Sequence, residues 1–79
     1  MPRYFFDIND GVHQRDDEGH DCADLQAAVL FAKTLLPAVA ADEVPKDGER
    51  QALTVLVSDE EGHSVYLASL TYTGSWLIR

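Results

Sequence analysis

Two short acidic segments carry most of the chemistry-bearing side chains: Asp16-Asp17-Glu18-Gly19-His20 and Asp59-Glu60-Glu61-Gly62-His63. Carboxylates at this density offer hard oxygen ligands, and a histidine adds a borderline nitrogen, so each segment is a candidate for a divalent cation. A metal site here would draw on Asp16, Asp17, Glu18, His20 and His63, with Asp21 close by. The spacing does not support it: the chain has no D-x-D-x-D-G loop with a glutamate at the twelfth position. An acidic cluster closed by glycine is also good turn chemistry, because Asp bonds to its own backbone and Gly accepts a positive φ. Solvated turns are therefore the reading adopted for both segments.

The remaining reactive side chains are poorly placed for catalysis. His13, His20 and His63 lack the i, i+2 or i, i+4 pairing common in zinc sites, and one cysteine cannot complete a thiolate set. Cys22 falls near an expected helix start, where the dipole favours a thiolate, but Asp21 and Asp24 oppose that anion. It is read as a structural thiol. No G-x-S-x-G elbow frames a serine, and no glycine-rich loop opens a helix to cradle phosphate. The sequence is read as that of a non-enzyme, with no cofactor.

These residues must be positioned by few elements. Tyr4, Phe6 and Ile8 alternate with Phe5 and Asp7 as in a strand, Asn9-Asp10-Gly11 is a hairpin signal, and Val12 to Arg15 is the expected return strand. A helix is predicted from about Asp24 to Glu43, with Asp21 or Asp24 as its cap. Its core stripe reads Leu25, Ala28, Val29, Ala32, Leu36 and Val39. Pro37 lacks an N–H for the Lys33 carbonyl, which predicts a kink or a break. Val44-Pro45-Lys46-Asp47-Gly48 should end the helix. Gln51–Ser58 and His63–Thr73 are the last two strands, before a tail at 74–79. The expectation is a single α+β domain spanning residues 1–79, of order β-β-α-β-β: one helix on a four-stranded antiparallel sheet.

Bulk properties narrow the function classes. The 79 residues include 14 acidic and 6 basic side chains, for a net charge of −8. The basic residues form no stripe, so binding to nucleic acid or to an anionic membrane is not expected. A basic protein partner fits the acidic surface better. The single cysteine suits a reducing compartment. The opening Arg3-Tyr4-Phe5-Phe6 reads as strand rather than leader, and the longest apolar run, Ala27–Ala32, is too short to span a bilayer. A cytoplasmic location is expected.

Several short motifs occur in a specific order: Met1-Pro2-Arg3-Tyr4-Phe5-Phe6-Asp7, Asp10-Gly11, Asp17-Glu18-Gly19, Asp24-Leu25-x-Ala27-Ala28, Leu36-Pro37 and Asp59-Glu60-x-Gly62. Together they resemble a family of short bacterial proteins, a domain-of-unknown-function family met mostly in soil and plant-associated bacteria. The resemblance extends to about Thr73. It implies a small stand-alone intracellular domain and supplies no catalytic residues.

The strongest functional signal is surplus apolar surface. Opposite its core stripe the helix still presents Ala27, Leu30, Phe31, Thr34, Ala38 and Ala41. One sheet covers one side of a helix, so this second face needs another partner. Two coverings are open: a second copy of the chain, or the tail folding back through Trp76, Leu77 or Ile78. The expected reading is a homodimeric interaction module whose contact uses Ala27, Leu30, Phe31, Thr34, Ala38, Trp76, Leu77 and Ile78. The alternatives are a small-ligand or metal-binding protein that uses the acidic turns, and an antitoxin-like regulator that masks a basic partner.

Overall fold

The computed structural model describes residues 2–46 and 48–78. Met1 of the opening motif, Asp47 of the helix-ending segment and Arg79 of the tail lie outside the described residues. The fold is α+β, with one long helix over an antiparallel sheet.

Strand β1 (Arg3–Asn9) is the second strand in from one edge, and the Asn9-Asp10-Gly11 turn follows it. Gly11 sits at φ +104, and its N–H donates to Asn9 Oδ1 at 3.0 Å. The chain returns as β2 (His13–Gln14), leaves the ladder through Asp16–Gly19, and rejoins it as β3 (His20–Asp21). Both short strands pair with β1, β2 at Ile8 and Asn9 and β3 at Arg3 and Tyr4. The sheet thus has five strands instead of the four expected. The first acidic segment interrupts an edge strand; it does not close a hairpin.

Helix α1 (Leu25–Glu43) starts where the sequence placed it. Asp24 is the N-cap, and its carboxylate accepts the Ala27 N–H at 2.9 Å. The helix runs through Pro37 as one element, so of the expected kink or break the break does not occur. A single missing donor is tolerated because Ala32 and Leu36 are anchored in the core beside it. Leu25, placed on the core stripe by the helical wheel, sits in the first turn with 43% of its surface exposed. A short 3-10 turn, Val44–Lys46, ends the helical segment.

Two long strands complete the sheet. β4 (Arg50–Ser58) is central, paired to β1 on one side and to β5 (Ser64–Thr73) on the other. Along β4, burial alternates: Gln51, Leu53, Val55 and Val57 are buried under the helix, and Thr54 and Leu56 are half-buried on the open face. Antiparallel partners share a face, so Phe6 opposite Val57 and Ala68 opposite Val55 join the same layer. Ala28, Ala32 and Leu36 close it from above. Small alanines at the contact let the helix approach closely. A register shift between Val57 and Ser58 accompanies packing of both Val65 and Tyr66 against the core, where strict alternation would send one of them outward.

Candidate functional site

The acidic interruption is built around one carboxylate. β1 and its edge partners leave the Phe6 N–H between the two short ladders, and Asp16 Oδ2 accepts it at 3.1 Å. Asp16 Oδ1 takes the N–H groups of Glu18 (3.2 Å) and Gly19 (3.0 Å), and Asp7 Oδ1 takes the Asp16 N–H at 2.9 Å. The side chain of Asp16 does the work of a missing strand carbonyl. Burial pushes its carboxyl pKa up. The N–H groups of Gly19, Phe6 and Glu18, with His20 nearby, outweigh burial and hold it below its ordinary value. A carboxylate so occupied has little capacity left for a cation.

The other first-segment candidates point elsewhere. Asp17 is exposed and meets Arg15 Nε at 3.5 Å. Glu18 lends its backbone carbonyl to the Arg3 guanidinium, whose other nitrogen lies 3.3 Å from Asp21. His20 stacks on Phe31 with ring centroids 4.4 Å apart and planes 14° from parallel. Phe31 in turn sets its edge against Phe6 at 4.9 Å. A groove of about 470 Å³ opens here, lined by Phe6, Phe31 and Leu35 together with the stretch from Arg15 to His20. It has an apolar side and an acidic side.

The second segment is a true hairpin turn. Asp59 Oδ1 accepts the N–H groups of Glu61 (3.0 Å) and His63 (2.9 Å), and Gly62 takes φ +86. The His63 N–H, joined by that of Glu61 and by the His63 imidazole against slight desolvation, lowers the Asp59 pKa. Among the described residues, one group of three gathers ligand atoms within 4.8 Å of one another: Asp59, Glu61 and His63. The sequence offered the second acidic segment as a whole and named His63 from it, without singling out Asp59 or Glu61 as its partners. Their i, i+2, i+4 spacing around a tight turn is the signal that would have found them. His13 and His20 are not in this group, so no three-histidine cluster forms among the described residues. The two turns lie at the same end of the sheet, where the Arg3 N–H donates to Glu60 Oε1 at 3.2 Å.

Cys22 is buried. Its N–H donates to the Pro2 carbonyl at 2.9 Å, and its thiol lies 3.7 Å from the His20 carbonyl. Burial, then Asp21 and Asp24, raises its pKa. This is the environment of an inert thiol.

The expected contact residues divide into two groups. Phe31 is half-buried against Phe6 and His20, and Ala27 is half-buried against the core. The Phe31 ring is met by two side chains that a helical wheel does not count, Phe6 of β1 and His20 of β3. Leu30, Thr34 and Ala38 face outward, Leu30 with 66% of its surface exposed. The Thr34 hydroxyl donates back to the Leu30 carbonyl at 3.1 Å, which lowers the polarity of that face. The tail does not cover it: Trp76, Leu77 and Ile78 are 75%, 95% and 76% exposed.

The fold and these surfaces define a small α+β domain with an acidic end and an uncovered apolar side. The chain belongs to a family described as a domain of unknown function, DUF6894, whose model matches residues 3–71. No curated protein and no solved structure matches it. Among the described residues, no helix is long and apolar enough to cross a membrane.

Proposed function

We propose that this domain is a non-enzymatic interaction module that works as a homodimer inside the cell. The observation that supports this reading is the amount of large apolar side chain left in water. Leu30, Leu67, Trp76, Leu77 and Ile78 are each 66% exposed or more on a chain of 79 residues. Single exposed leucines are ordinary, but a run of three large residues in a short extended segment is not. Burying one such side chain is worth about 1.5–3 kcal/mol, a large gain for a domain of this size. The acidic groups support a non-catalytic reading, since Asp16 and Asp59 spend their carboxylates on backbone N–H groups. Size-exclusion chromatography with light scattering tests the proposal. The native chain should elute as a dimer, and Trp76→Glu with Leu77→Glu should shift it to monomer. A native monomer at all loading concentrations removes the reading.

A second reading rests on the groove. Its Phe6, Phe31 and Leu35 wall beside Asp16, Asp17 and Glu18 suits the aliphatic stem and cationic head of a lysine or arginine from a basic partner. Purification of the native protein from its own cell, with a basic protein that leaves as salt is raised, would favour it.

A further inference from the structure

We infer that two copies join edge to edge through β5 and the segment that follows it, the strands running antiparallel about a two-fold axis near Thr73. The inference rests on the self-association reading above and gives it a surface and a geometry.

The two edges of the sheet are treated differently. On the β1 side, the edge is broken into two-residue strands, and Arg15, Asp16, Asp17 and Glu18 stand in the gap. Short strands, an interruption and charges are the means by which an edge is kept from pairing with another chain. β5, at the other edge, has none of these: ten residues, SVYLASLTYT, without a charge or a proline. Every second residue turns its N–H and C=O away from β4, with no strand beyond among the described residues.

β5 also outruns its neighbour. The paired ladder ends at Arg50 opposite Thr73, with one more bond from the Gly74 N–H to the Glu49 carbonyl at 2.7 Å. Ser75 to Ile78 then project past the sheet, and the long dimension of the molecule reaches 56 Å. From Ser64 to Ile78 the chain carries no acidic or basic side chain, although the whole carries −8. Two such acidic molecules meet with least repulsion along this neutral stretch.

Symmetry then fixes what meets what. Residues directly opposite in an antiparallel ladder point to the same face. An axis near Thr73 sets Trp76 opposite Leu70 of the second copy and Ile78 opposite its Ala68. Leu70 and Tyr72, both more than a third exposed in the single chain, are covered by the incoming segment. A buried tryptophan alone contributes roughly 150–250 Å². With Leu70, Tyr72, Leu77 and Ile78 beside it, it adds toward the roughly 800 Å² per partner typical of a stable dimer. The result is one continuous sheet with the β1 edges outermost, so the open edges become the defended ones.

Hydrogen–deuterium exchange on the native chain, at concentrations on either side of the dimer transition seen by light scattering, tests this. Amides of residues 68–78 that point away from β4 should slow by about tenfold or more as the dimer forms, while those of residues 64–67 and of the exposed face of α1 stay unchanged. A dimer with no added protection in residues 68–78 overturns the edge geometry and leaves self-association standing; a monomer throughout overturns both. Thr73→Cys supplies an independent check, since Cα atoms facing across such a ladder lie within disulfide range. It should oxidise to a covalent dimer, whereas Ser64→Cys should not. Cross-linking of Ser64→Cys but not of Thr73→Cys contradicts the register.

Discussion

The Asp16 carboxylate accepts the backbone N–H of Phe6 at 3.1 Å, replacing a strand carbonyl where the edge of the sheet is interrupted. Removing it leaves the N–H groups of Phe6, Glu18 and Gly19 without that acceptor. Asp16→Ala should cost about 1–3 kcal/mol in urea unfolding, and Asp16→Asn, which keeps one carbonyl acceptor, should cost less. Equal losses for the two variants would mean that the charge, not the acceptor geometry, is what the fold uses.

The two turn glycines should differ. Gly19 (φ +76) and Gly62 (φ +86) both hold conformations that L residues avoid. A Cβ at Gly19 would also lie 2.7 Å from Arg3 Cγ and 2.9 Å from Phe5 Cε2, whereas at Gly62 it would meet nothing within 4 Å. Gly62→Ala should cost roughly 1 kcal/mol, the backbone penalty alone, and Gly19→Ala measurably more. Thermal denaturation of the pair checks the order.

Acid should destabilise the domain. Asp16 and Asp59 have folded pKa values below the ordinary 3.8, so their contribution is fully present above that value and is lost as pH falls through the folded values. The urea midpoint should hold from neutrality to about pH 5 and drop below about pH 4. A variant carrying both Asp16→Asn and Asp59→Asn should start lower and show a shallower drop. A double variant as acid-sensitive as the native chain would shift the explanation to other carboxylates.

Cys22 should be silent in the folded state. Buried and with a raised pKa, its thiol should react with an aromatic disulfide reagent only as fast as the protein opens. Labelling in native buffer at the rate seen in denaturant would contradict the packing described.

Much of this fold was legible because its signals were local. The Asp24 cap, the Asn9-Asp10-Gly11 hairpin and the alternation of Leu53, Val55 and Val57 each state their structure within a few residues. The two acidic segments were not separable in that way. They share the same residue types, yet one closes a hairpin and the other breaks an edge strand. What divides them is the Phe6 N–H, ten residues from Asp16 and invisible to any short window. The ring contacts of Phe31 with Phe6 and His20 were hidden for a related reason, since a helical wheel knows the period but not which distant side chains meet the helix. The grouping of Asp59, Glu61 and His63 was within reach of sequence reasoning, had turn geometry been applied to side chains as well as backbone.

Charge should set the strength of association. Each copy carries −8, so repulsion opposes dimer formation at low ionic strength and is screened as salt rises. The dimer dissociation constant should fall between about 0.01 M and 0.15 M sodium chloride. A constant that rises instead would point to a contact made by opposite charges, as in the basic-partner reading.

The central claim is that one copy leaves too much apolar surface uncovered to remain alone. Sedimentation equilibrium of the native chain, over a wide range of concentration at physiological salt, tests it most directly. The account predicts a mass that climbs from 8.7 kDa toward twice that value as concentration rises. A mass fixed at 8.7 kDa across the whole range would contradict it.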